Sequence, residues 1–204
     1  MAFTPFSPIP IGSLLWGAPL NAAIVNHDVT FNTAVPQDHA LISWNFQVGI
    51  VVGSTGPTSG TVLMQKVWLR QPATITNVCI GIGSAGVGLT AGQNFAGFYD
   101  SGGNRLGVTA DQSANWATAG FKQMALTAPV AAAAGAYYVA VLSNAGTTPT
   151  LARGGVITSS FPNANLTAVD GAFTTGPAAQ TTLPVSITMA SRTLTANSTW
   201  SGVS

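Results

Sequence analysis

Residues 135–142 read GAYYVAVL. Tyr137, Val139 and Val141 fall on one face of an extended chain, and Tyr138, Ala140 and Leu142 on the other. A strand that is apolar on both faces needs cover on both sides, as in the middle of a packed sandwich. Just upstream, residues 94–99 and 105–109 are two short runs rich in β-branched and aromatic residues. The turn formers Asp100-Ser101-Gly102-Gly103-Asn104 lie between them, a hairpin pattern. The whole stretch 89–142 therefore sets an antiparallel β fold.

Strand-like runs extend on either side, at 41–52, 61–70, 73–82, 121–127, 156–160 and 185–195. Turn-rich connectors are expected at 54–60, 83–88 and 144–149, and 161–184 reads as irregular. Many short strands punctuated by Gly and Pro indicate an all-β antiparallel β-sandwich, jelly-roll-like in pattern. The C-terminal region is expected to form a sandwich edge or a lid over the core. The N-terminal part differs. Pro5, Pro8 and Pro10 mark residues 1–15 as an extended arm. Leu20, Ile24, His27 and Phe31 then form one helical stripe over 19–31, with Pro36 beyond it. The expected organisation is an anchoring arm and short helix over 1–36, followed by a β-sandwich domain over 37–204.

Charge is the compositional outlier. Of 204 residues only 5% are Asp, Glu, Lys or Arg, against about 25% in ordinary soluble domains. Such a surface suits a subunit packed against copies or partners. A net charge of +1, spread along the chain, gives no footprint for nucleic acid. No run approaches 18 apolar residues, so no membrane span is expected. The start lacks a basic segment followed by an apolar run, so no signal peptide is expected either. Synthesis in the cytoplasm followed by assembly is the simpler expectation.

The motifs point away from catalysis. Residues 81–86 (GIGSAG) match G-x-G-x-x-G, but no helical stripe follows, so a glycine-rich loop is expected and no dinucleotide cofactor. Two histidines, His27 and His39, and a single cysteine, Cys79, give neither a hydrolase triad nor a metal cluster. Cys79 sits in an apolar run and is expected to be buried and inert. Asp100 and Asp111 could approach across the hairpin, but turn-forming and capping roles are favoured. Trp44 and Trp68 are expected in the core. Trp116 lies in a loop and is the aromatic expected at the surface. With Tyr99 it forms the candidate glycan contact, although a loop tryptophan more often plugs the end of a sandwich.

The segments 66–78 (KVWLRQPATITNV), 89–113 (LTAGQNFAGFYDSGGNRLGVTADQS) and 135–144 (GAYYVAVLSN), with Trp116, Lys122 and MALTAP at 124–129, resemble a β-sandwich domain of bacteriophage proteins. These are minor tail, fibre and receptor-binding proteins of phages that infect actinobacteria. Residues 3–28, including Trp16-Gly17-Ala18-Pro19-Leu20-Asn21-Ala22, resemble the start of such proteins. The resemblance implies a non-enzymatic virion structural protein: a minor tail, short fibre or capsid decoration subunit. It carries no catalytic residues. With the composition, it implies a homotrimer that contacts other virion proteins. The expected particle-anchoring residues are Phe3, Phe6, Ile9, Leu14, Leu15 and Trp16. A carbohydrate-binding module contacting host surface glycans is the alternative. Pro36 departs from the family's longer fibres by stopping the helix early, which implies a squat subunit.

Overall fold

The computed structural model describes residues 34–155 and 161–204. The expected arm over 1–15, the helix over 19–31 with His27, and the strand over 156–160 lie outside the described residues. So do the anchoring residues Phe3, Phe6, Ile9, Leu14, Leu15 and Trp16. The described strands are, in chain order, β1 (Ser43–Trp44), β2 (Gly53–Thr55), β3 (Leu63–Leu69), β4 (Ala73–Ser84), β5 (Val87–Leu89), β6 (Phe95–Asp100) and β7 (Arg105–Val108). They continue with β8 (Gly120–Ala132), β9 (Gly135–Leu142), β10 (Ala145–Thr147), β11 (Thr150–Arg153), β12 (Phe173–Thr175), β13 (Thr193–Leu194) and β14 (Ser201–Val203).

They form an antiparallel β-sandwich. In the first sheet β4 is the spine. Cys79 pairs with Gln123 of β8 along one edge and with Gly202 of β14 along the other, and β1, β11 and β2 complete the sheet. The second sheet runs β13-β12-β3-β9-β6-β7. β5 and β10 form a separate two-stranded ribbon.

The pattern in GAYYVAVL explains the layering. β9 is held between β3 and β6. Its Val139 and Val141 join Leu63, Val67, Leu69, Ala96 and Phe98 of the second sheet against Val78, Ile80, Ile82, Met124 and Leu126 of the first. Tyr137 stacks on Phe98, with centroids 4.9 Å apart at 16°, a pair worth about 1 kcal/mol beyond its buried area. On the opposite face of β9, Tyr138, Ala140 and Leu142 meet Met64 and Tyr99 under Leu183, Ile187 and Met189. The C-terminal chain thus forms a third layer over the second sheet.

That layer is bonded as well as packed. The Tyr99 hydroxyl donates to Pro184 O at 2.5 Å, Arg105 N to Val185 O at 2.9 Å, and Ile187 N to Gly103 O at 2.9 Å. Most of 185–195 therefore lies over a sheet and is not the strand its residue types suggested; only Thr193–Leu194 pairs in a ladder. Three other expectations need correction. The run 41–52 yields only the two-residue β1 and a short 3-10 turn, Val48–Ile50. The supposed connectors contain β2, β5 and β10, and the irregular 161–184 contains β12, which pairs with β3. Strands of three residues are too short for an alternation to show.

Candidate functional site

Neither aromatic expected to contact glycan is available to one. Trp116 is 0% exposed. Its 3-10 turn, Asn115–Ala117, lays the indole into the main core, where the ring N–H donates to Met124 Sδ at 3.2 Å. It plugs the sandwich. Tyr99 is also 0% exposed, because the Pro184 carbonyl and the third layer cover it. Burial pushes its phenol well above the ordinary range, with the nearby Arg105 charge pulling the other way.

The other candidates are placed by structural bonds. Asp100 accepts from Asn104 N at 2.8 Å and Asn104 Nδ2 at 3.0 Å, which closes the hairpin turn. Asp111 accepts from Asn94 N at 3.1 Å and Ser113 Oγ at 2.9 Å. Partial burial works against its charge, but the Ser113 hydroxyl and the amides of Gly92, Asn94 and Ser113 prevail and hold its carboxyl below the usual range. Each carboxylate thus serves its own turn. His39 packs against the Trp44 ring, with centroids 5.5 Å apart. Cys79 is buried, and its thiol is pushed up to about 11 by burial, against a hydrogen bond with Ser204; it is a poor nucleophile.

The glycines of 81–86 have a packing explanation. Gly81 and Gly83 belong to β4, not to a loop. A Cβ on Gly81 would lie 2.7 Å from the Ala152 side chain, and one on Gly83 2.5 Å from that of Ser54. The neighbouring strands need that space. β5 follows, not a helix.

Sequence reasoning missed Arg192, which is 4% exposed. Its guanidinium lies 4.4 Å from the Tyr138 ring centroid. It donates to Ala168 O and Val169 O at 2.7 Å each, to Thr174 Oγ1 at 3.1 Å and to Met189 O at 3.3 Å. Charge-assisted bonds of this kind offset the desolvation of the cation. Its role is to hold the loop before β12 and the third layer on β9. The sequence signal was an arginine isolated in an uncharged C-terminal stretch.

Two surface features remain once these roles are assigned. The first lies on the outer face of the first sheet. Leu41, Cys79 and Trp200 form a small buried cluster there, with Trp44, Phe46 and Val51 against it. Gly202, paired with Cys79, gives them room: a Cβ there would meet Leu41 and Trp200 at 3.2 and 3.4 Å. Around this cluster the apolar surface continues into solvent. Phe121 of β8 touches Trp200, with centroids 6.0 Å apart, yet is 58% exposed; Ile50 is 53% and Val52 73% exposed. A shallow groove of about 300 Å³, lined by Asn45, Phe46, Ile50, Pro162, Phe173 and Ser198, lies beside it. Its described lining has no titratable side chain.

The second feature is Trp68. It was expected in the core, and Trp44 with it. Trp44 is half-buried and Trp68 is 50% exposed. In β3, Leu63, Val67 and Leu69 face the other sheet, so Trp68 points outward with Met64 and Lys66.

No family model and no curated protein sequence matches this chain. Among the described residues no three His, Cys, Asp or Glu side chains are grouped to hold a metal ion. No described helix is long and apolar enough to cross a membrane.

Proposed function

We propose that this chain is a non-enzymatic structural subunit of a bacteriophage particle: a minor tail, short fibre or capsid decoration protein. Its proline-rich N-terminal segment anchors it to the particle. Its β-sandwich packs against further copies, as a homotrimer, or against other virion proteins through the outer face of the first sheet. The virion is its location, after synthesis in the host cytoplasm. The observation that carries this reading is Phe121, which lies exposed against Trp200 on the outer face of the first sheet. Contiguous exposed apolar surface marks interaction sites, and a chain with 5% charged residues has little else to keep that surface solvated. The resemblance in residues 3–28 and 66–144 supplies the setting.

Light scattering on the purified full chain tests it. The wild type should run as an oligomer. Phe121→Asp combined with Ile50→Asp should shift it toward single copies, with the melting temperature changed by no more than about 3 °C, as befits exposed positions. A wild type that is monodisperse as a single copy would sink the homotrimer.

A further inference from the structure

The third layer covers the outer face of the second sheet only in part. Leu183, Ile187 and Met189 sit on Met64, Tyr99, Tyr138, Ala140 and Leu142. Arg192 and the loop carbonyls of Ala168 and Val169 extend that cover to the ring and hydroxyl of Tyr138. Trp68 lies one outward position beyond Lys66 on β3, and it remains half in water. Its cross-strand partner is Ala136, whose single methyl leaves the indole without a bulky neighbour across the ladder.

The charges nearby are unusual for this chain. Lys66 is half-buried. Its ammonium lies 5.5 Å from the Tyr138 ring centroid and donates to Asp170 O, which leaves it further N–H donors. Arg70, immediately after β3, is exposed, and its guanidinium has no partner among the described residues. Two of the chain's six Lys and Arg residues thus flank the exposed tryptophan. The other described cations are engaged elsewhere: Arg105 with Leu183 O, Arg153 with Asn197 Oδ1, Lys122 with Thr118 Oγ1, and Arg192 under its loop. Asp170, whose main-chain O accepts from Lys66, is itself exposed.

We infer that Trp68, Lys66 and Arg70 form a binding site for an acidic glycan. The C–H face of a pyranose ring lies on the indole, and the sugar's carboxylate or phosphate is held by Arg70, through two parallel N–H donors, and by Lys66. Uronate polymers and phosphodiester-linked glycans share this chemistry. A nucleic acid strand needs a track of cations along its backbone, and Lys66 and Arg70 alone do not make one. A protein partner needs about 800 Å² of matched surface with an apolar centre, whereas a single indole between charges offers a much smaller footing. This site is on the opposite sheet from the Phe121 rim, so it holds or fails independently of the packing role.

Binding of the full-length protein to four probes decides it: polygalacturonate, a glycerol-phosphate teichoic polymer, neutral dextran and oligothymidylate. The expected result is saturable binding to one or both acidic polymers and none to dextran. Trp68→Ala should weaken it about tenfold or more, as loss of one stacked ring does. Arg70→Gln should weaken it about three- to tenfold and flatten its salt dependence. Both positions are exposed, so both variants should keep the wild-type melting curve. Binding to polygalacturonate alone or to the teichoic polymer alone identifies the acidic group as carboxylate or phosphate. No binding to either acidic polymer overturns the site, as does binding that Trp68→Ala leaves unchanged. Oligothymidylate bound as tightly as the acidic polymers assigns the surface to nucleic acid instead and overturns the glycan.

Discussion

The outer face of the second sheet lies under residues 177–192, tied down by main-chain bonds at Gly103, Arg105 and Val62. The outer face of the first sheet is covered by a small side-chain cluster, Leu41 and Trp200 with Trp44, Phe46 and Val51 against them. The side-chain bond in that cover is Trp200 Nε1 to Phe46 O at 2.9 Å, and main-chain bonds from Leu41 N to Pro36 O and from Trp200 N to Ala152 O hold the two residues. The difference divides the labour. A face locked by directional bonds belongs to the fold and resists exchange. A face covered by a thin apolar cluster, with Phe121 left over, is suited to being completed from outside. The substitutions below test that division.

The largest effect is expected where the third layer meets the β6–β7 hairpin. Gly103 has φ +90°, and a Cβ there would stand 2.1 Å from Ile187 O, a backbone atom. Gly103→Ala therefore combines left-handed strain with a clash that only lifting the 183–189 segment relieves. It should destabilise the protein by about 4 kcal/mol, read by denaturant unfolding, with protease cuts appearing in residues 177–192. An unchanged unfolding midpoint would show that the third layer is not seated on the hairpin.

Arg192→Leu should rank next, at about 3 kcal/mol. Leucine keeps the burial but removes the guanidinium donor from Ala168 O, and leaves Val169 O and Met189 O only the longer bonds from Tyr138 Oη, at 3.4 Å, and the residue-192 main-chain N, at 3.5 Å. Equilibrium unfolding should show the loss at neutral pH and a similar loss at high salt, because these are buried hydrogen bonds and not a screened surface pair. A loss that disappears in salt would contradict this account.

How far the sequence showed these features depends on how much chain each one uses. β9 was legible because eight residues with apolar side chains on both faces admit few arrangements. The same holds for β3, β4 and β6, whose runs are long enough to alternate. Trp116 was not legible: a loop's composition does not say that a 3-10 turn will carry its indole across the core. Trp68 could have been read better. Lys66 shares its parity, and an inward lysine would have had no partner; the hydrophobicity of the ring outweighed that signal. The Arg192 site draws on residues 138, 168, 169, 174 and 189, contacts that no local pattern encodes.

The smallest effect concerns Cys79, which reports on the thinner cover. Its folded pKa, about 11, lies above the ordinary thiol value of 9.0, so the folded state holds the proton more tightly than the unfolded one. The stabilisation is therefore complete below about pH 9 and is lost as pH rises toward 11. Burial of the Tyr99 phenol acts in the same direction at still higher pH. Cys79→Ala should accordingly flatten the early part of the alkaline fall in unfolding free energy, with little change at pH 7. The same thiol distinguishes the two covers kinetically. At pH 8, labelling by a thiol reagent should be slow in the wild type. It should quicken about tenfold or more in Trp200→Leu, which thins the cover directly above Cys79 and favours local opening. Tyr99→Phe removes the bond to Pro184 O on the other sheet and should leave the labelling rate unchanged. Equal acceleration by both substitutions would mean that the two outer layers open as one unit, and the first sheet's face would then be no more available to a neighbour than the second's.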